Sequence, residues 1–255
     1  MSRNSDKTTD TDSAEPGASA HQRVVNDYFK ITSGVIHSVR NYAIETAGLR
    51  RGLGRWLDVG GKKVVDLGSG TGELCWLLDS LSAASVVGVN LSQEEIDFAK
   101  PYVPVQFVCQ DIIEYLSSCP DESVDGIFAL NILEHLSRDE LVLLLDNSRR
   151  VLVPGGRLVA MVPNGTSPYG TMTRYWDFTH LLAFTPSSVR QLMRLSGFSC
   201  VEFMEWGPRA YGVKSFIRYV LWQLIRLGIA LRLIIETGSS KGGIYTSDMI
   251  FRLTK

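Results

Sequence analysis

The run Val64-Val65-Asp66-Leu67-Gly68-Ser69-Gly70-Thr71-Gly72-Glu73 constrains the chain more than any other. A short apolar strand, Lys63 to Leu67, passes through three alternating glycines into a helix predicted over Glu73 to Leu81. So sharp a strand-to-helix turn, with a ligand against bare backbone, excludes side chains at the glycine positions. In dinucleotide-binding domains the spacing is G-x-G-x-x-G, and the helix start receives a pyrophosphate. Here the spacing is G-x-G-x-G, and Glu73 stands where the third of those glycines would be. A carboxylate on the first helical turn repels a pyrophosphate and suits a cationic ligand.

The rest of the chain alternates in the same way. Strands are predicted at Ser85–Asn90, Val105–Cys109, Val124–Leu130, Arg157–Val162, Ser199–Glu205 and Ile244–Arg252. Between them lie helices opened by caps: Ser92 with Glu95, Ser137 with Glu140, and Thr185 followed by Pro186, the last stopping at Gly197. The pattern predicts an α/β fold, a doubly wound and mostly parallel seven-stranded sheet with helices on both faces. A helix is also predicted from Gln22 to about Ala47. Residues 1–20 are rich in Ser, Thr, Asp, Gly and Ala and are expected to be a disordered tail. Residues 21–255 are expected to form one domain, with a helical insertion at about 206–243.

The net charge of −1 supplies no basic excess for a nucleic-acid partner, so none is expected. Cys75, Cys109, Cys119 and Cys200 have no metal-finger or CxxC spacing and read as free thiols, which fits a reducing, cytoplasmic compartment.

Residues 64–162 resemble the core of class I methyltransferases that use S-adenosylmethionine (SAM), the bacterial type similar to quinone-ring and sugar O-methyltransferases. The resemblance implies a Rossmann-like sheet and SAM as methyl donor. It implies that Asp66 and the backbone of the Gly68, Gly70 and Gly72 turn hold the methionine end. Asp111 would accept from the adenine amino group, with Ile112 against the ring. The backbone about Asn131 would line the methyl-transfer face. One position departs. The second strand of such enzymes ends in an acid that grips both ribose hydroxyls, and here Asn90, followed by Leu91, stands there. Losing a charge-assisted pair costs about 1–2 kcal/mol. Either SAM binds more weakly, or the N-terminal helix compensates.

Two polar clusters follow strands four and five: Asn131-Ile132-Leu133-Glu134-His135 and Tyr175-Trp176-Asp177-Phe178-Thr179-His180. They resemble the segments of quinone O-methyltransferases, and of enzymes methylating small-RNA 3′ ends, in which two glutamates and two histidines bind a divalent metal. Glu134, His135 and His180 match, and Asn131 replaces the first glutamate. The three side chains read as metal ligands, as a metal-free site with His180 the general base, or as structural residues. Asp177 is a competing base, and Tyr169, Tyr175 and Trp176 are candidates for an acceptor wall. The turn at Pro163-Asn164-Gly165 is expected to open a mobile lid.

The expected reaction is O-methylation of a glycan or lipid-linked sugar. The alternatives are a quinone or phenol ring, and a catalytically silent methyltransferase-like scaffold. On a helical wheel, Lys214, Arg218, Arg226 and Arg232 share an arc of about 120° opposite Leu, Ile, Val and Trp. Three arginines argue against a transmembrane span. Residues 214–235 therefore read as packing on the domain, as a homodimer contact, as peripheral contact with the inner face of a membrane, or as a substrate lid.

Overall fold

In the computed structural model, residues 41–240 and 243–255 are described. The expected tail at 1–20, and the expected helix from Gln22 as far as Arg40, lie outside them. Seven strands form one sheet: β1 (Lys63–Leu67), β2 (Ser85–Asn90), β3 (Gln106–Cys109), β4 (Val124–Leu130), β5 (Leu152–Pro163), β6 (Cys200–Glu205) and β7 (Asp248–Thr254). Their order is β3-β2-β1-β4-β5-β7-β6. β1 to β5 are parallel neighbours. β7 runs antiparallel between β5 and β6. From β1 the chain winds outward to β3, then returns to lay β4 on β1's other side. That reversal opens a crevice at the carboxyl ends of the strands, where open α/β sheets take their ligands.

Helices α1 (Tyr42–Glu45), α2 (Ala47–Leu53), α3 (Glu73–Ser80), α4 (Gln93–Ala99), α5 (Ile112–Ser118), α6 (Arg138–Val151), α7 (Gly170–Tyr175), α8 (Pro186–Leu195) and α9 (Val213–Thr237) complete the domain. Successive strand residues point to opposite faces, so two cores form. Val65, Leu67, Ile127, Leu158 and Phe251 pack with α5, α6 and α8. Val64, Phe128, Val159 and Ile250 pack with α1, α2 and α3. β1 is buried at every position but its first, as a strand covered on both faces must be.

Three expectations on local structure are corrected. The helix expected to reach Ala47 is two helices that meet at Thr46, whose hydroxyl bonds back to the Tyr42 carbonyl at 2.6 Å. At α4, Ser92 accepts from the Glu95 N–H, but the Glu95 carboxylate accepts from Asn90 rather than completing a capping box. The last strand begins at Asp248, because Asn164 holds the preceding turn: its side chain donates to the carbonyls of Ile244 (3.0 Å) and Thr246 (2.8 Å). Asn164 is fully buried and anchors the turn after β5.

α9 also differs from its helical-wheel reading. Arg226 and Trp222 do not belong to opposite sides. Both meet Glu205, Arg226 as an ion pair at 3.3 Å and Trp222 by its indole N–H at 3.3 Å. Their side of α9 faces the domain. Phe216, Ile217, Leu224, Leu227, Leu231 and Ile235 are exposed. No helix among the described residues is long and apolar enough to cross a membrane.

Candidate active site

The glycine turn lies over the end of β2, with the N–H groups of Gly68 and Ser69 donating to the Val89 carbonyl at 2.9 and 3.0 Å. A Cβ on Gly68 would meet Ile132 at 3.0 Å, whereas a Cβ on Gly70 would enter open space. The turn therefore presents bare backbone to open space at Gly70, while Gly68 packs against Ile132.

Asp66 is buried beneath this turn, and the Cys75 thiol donates to its carboxylate at 3.4 Å. Burial pushes the Asp66 carboxyl up to about 7, the thiol opposing this and the Glu73 charge adding to it. The Thr71 hydroxyl donates to the Glu73 carboxylate at 2.9 Å. Asp66 and Glu73 thus set two carboxyl groups at the glycine turn, close enough for the Glu73 charge to act on Asp66. Tyr42 closes the far side of the turn: it is buried, bonds the Thr71 carbonyl at 2.7 Å and stacks on Trp76. Tyr42 thus braces the turn from α1.

At the next strand end, Asn90 donates its side-chain N–H to Glu95 at 2.6 Å. Leu91 beside it is exposed. Asp111 caps α5, one carboxylate oxygen accepting from Ile113 N and Glu114 N at 2.8 and 3.1 Å. Ile112 is a core residue at 6% exposure, so it offers an adenine ring little more than an edge. Asn131 sits at φ 54°, a left-handed conformation that asparagine enters more readily than glutamate. That backbone demand accounts for the missing first glutamate.

The two polar clusters converge. The Glu134 carbonyl accepts from Leu181 N (2.7 Å) and Leu182 N (3.0 Å), which ties the segment after β4 to the one before α8. Ligand atoms of Glu134, His135 and His180 all lie within 4.8 Å of one another. The two imidazole rings meet edge to face with centroids 4.8 Å apart. His180 directs Nδ1 at the Thr173 carbonyl, 3.2 Å away. A carbonyl only accepts, so this contact calls for a proton on Nδ1, and in the neutral ring the lone pair is then on Nε2. His135 Nδ1 meets the hydroxyl of buried Thr179 at 2.7 Å, and that hydroxyl donates to Asp177 at 2.6 Å. Asp177 therefore serves this relay and orients His135.

Glu134 is buried, and its Oε2 has no hydrogen-bond partner. Burial pushes its carboxyl up to about 8, with the Asp248 and Asp177 charges adding to the rise. An orphaned buried carboxylate beside two imidazoles fits a divalent cation as well as a proton. Of the expected aromatic wall, Tyr175 and Trp176 are 74% and 81% exposed.

Asp248 and Glu95 belong to the site region and were missed. Asp248 reaches it only through the register of β7, which sets it opposite Pro163 at the end of β5. Glu95 was legible as a carboxylate one helical turn beyond a strand-end asparagine.

Comparison with known proteins agrees with the geometry. Residues 64–156 match the family model described as "Methyltransferase domain". The chain is 26% identical over 152 residues to an O-methyltransferase of Penicillium expansum, a match covering 56% of this chain and 54% of that one. It is 31% identical over 111 residues to a ubiquinone biosynthesis O-methyltransferase of Bradyrhizobium diazoefficiens, covering 42% of each. It thus spans about half the length of these two curated relatives. A SAM-dependent methyltransferase of known structure from Archaeoglobus fulgidus superposes with a TM-score of 0.64 at 23% identity, covering 89% of this chain and 99% of that one. Residues 64–156 thus form a methyltransferase domain, carried on a seven-stranded fold that this chain shares with SAM-dependent methyltransferases of known structure.

Proposed function

We propose that this methyltransferase acts on a hydroxyl oxygen of a small-molecule acceptor. The observation that carries the reading is the gathering of Glu134, His135 and His180 directly after β4, at the carboxyl edge of the sheet. SAM, when bound, supplies a methyl group on a sulfonium for in-line attack by the acceptor oxygen.

The chain's own residues do the rest. Asp66 and the bare backbone at Gly68 and Gly70 hold the methionine end, the ammonium keeping Asp66 ionised where burial alone would protonate it at about 7. Gly72 completes the turn. Asn90 with Glu95 takes the ribose hydroxyls, next to Leu91. Asp111 offers adenine the oxygen that does not cap α5, and the Asn131 backbone lines the transfer face. His180 Nε2 takes the acceptor proton. His135, aligned through Thr179 and Asp177, and Glu134 orient the acceptor. A divalent cation would be held by Glu134, His135 and His180 and would lower the acceptor's pKa.

Incubating the purified chain with methyl-labelled SAM and a small-molecule cell extract tests the reading. Label should enter a hydroxyl-bearing compound, and S-adenosylhomocysteine should bind in calorimetry. No transfer together with no binding would leave only a catalytically silent scaffold.

The outward face of α9 supports a second contact. Its exposed apolar side chains, with Lys214, Arg218 and Arg232 along one flank, fit peripheral binding to an anionic bilayer.

A further inference from the structure

A cleft of about 490 Å³ lies between α9, the start of α7 and the first residues of β7. Its walls are Tyr169, Trp206, Trp222, Ile225 and Ile229, and Asp248 stands at one end. The volume suits a molecule of one to a few rings. The cleft opens on the carboxyl edge of the sheet, because β7 enters antiparallel and sets Asp248 against Pro163. Pro163 in turn accepts from Phe184 N at 3.1 Å, two residues beyond the Leu181–Leu182 pair that bonds the Glu134 carbonyl, so Asp248 borders the segment that carries Glu134 and His180.

Two polar ends in the lining are already engaged. The Trp222 indole N–H donates to Glu205, and the Tyr245 hydroxyl donates to the Ser240 carbonyl at 2.9 Å. Glu205 also accepts from Tyr245 N at 3.0 Å and pairs with Arg226, so a single carboxylate fastens α9 to the turn before β7. Trp206 lies on the backbone of Gly52, where any Cβ would come within 1.8 Å of its ring. The walls thus present mainly ring faces and aliphatic branches. A sugar would bury several hydroxyls against them without partners, at about 1–3 kcal/mol for each. A flat ring with a single hydroxyl loses nothing of the kind and gains aromatic contact.

We propose that this cleft is the acceptor's ring subsite, and that the acceptor is a flat, apolar phenol whose hydroxyl points past Asp248 toward His180. This rests on the methyl-transfer reading above and replaces the glycan expected from sequence by a phenolic ring.

Calorimetry on the full chain saturated with S-adenosylhomocysteine tests it, with 2-naphthol and methyl glucoside as probes. 2-Naphthol should bind and methyl glucoside should not. Ile229→Trp, which fills the cleft, should weaken 2-naphthol at least about tenfold while leaving S-adenosylhomocysteine affinity unchanged. Ile225→Gln, at a half-exposed position that does not endanger folding, should weaken it about threefold or more. Absent 2-naphthol binding, equal binding in the parent and both variants, or preferred binding of the glucoside would overturn the subsite. Loss of S-adenosylhomocysteine binding by the parent would instead overturn the methyltransferase reading, so the two failures are distinct.

Discussion

The side-chain amide of Asn90 donates to the carboxylate of Glu95 at 2.6 Å, joining the end of β2 to the first turn of α4. A carboxylate only accepts, so the Asn90 amide is held with its oxygen turned from Glu95. The strand end that lacks an acid of its own thus has one beside it. Asn90→Asp should set two carboxylates against each other and weaken S-adenosylhomocysteine about tenfold. Asn90→Asp combined with Glu95→Gln moves the charge to the strand end and should bind within about threefold of the parent. Calorimetry reads both, and a double variant as weak as the single one would remove Glu95 from the site.

His180→Ala should lower turnover by roughly 10²–10⁴, the span expected of a general base. Affinity for S-adenosylhomocysteine should not change, because His180 belongs to the acceptor side. Turnover equal to the parent's would return the proton to Asp177 or to water.

The Glu134 carboxyl, at about 8 when folded against 4.5 unfolded, destabilises the protein as pH rises. Between those values the folded state keeps a proton that the unfolded state has released. Its stabilising contribution is therefore complete below about pH 4.5 and is lost as pH climbs through 8. In EDTA, Glu134→Gln should melt progressively higher than the parent from pH 5 to pH 9, by several degrees at the top, since one pKa unit is about 1.4 kcal/mol and 1 kcal/mol moves Tm by about 2–4 °C. Millimolar Mn²⁺ should raise the parent's Tm and leave the variant's where it is. A pH-independent difference would show that the buried carboxylate has another partner.

Gly70→Ala and Gly72→Ala separate binding from packing. Both residues have positive φ, 50° and 86°. A Cβ at Gly70 meets no protein atom and enters the donor's cavity, so S-adenosylhomocysteine should weaken at least tenfold for about 1 kcal/mol of stability. At Gly72 it comes within 3.2 Å of Ala99, Val103 and Phe107. That change should cost about 2–3 kcal/mol in denaturant melts, with binding affected only through stability.

Leu224→Glu with Leu231→Glu should abolish sedimentation with vesicles of phosphatidylcholine and phosphatidylglycerol, and Arg218→Glu with Arg232→Glu should weaken it. Both pairs leave the Arg226–Glu205 tie in place. Failure of the parent to sediment would end the bilayer reading.

The amino-acid order was enough for the local decisions. β1, β2 and β4 begin and end where the apolar runs predict, because a strand buried on two faces leaves a continuous hydrophobic record. The caps at Ser137 and Thr185 stand where they were read, since a cap is a bond between neighbours. The glycine turn and its acid were legible for the same reason.

Only the tertiary structure decided what long-range pairing controls. Asp248 meets the Glu134 region because β7 turns antiparallel against β5, a register no local pattern encodes. Arg226 looked like one of a basic stripe until Glu205, on another strand, drew it inward. Spacing thus determined the layered sheet and the acidic glycine turn between β1 and α3. The cleft beside α9 was set by contacts between residues far apart in the chain, because side chains from separate elements share a wall only after the sheet has brought them together.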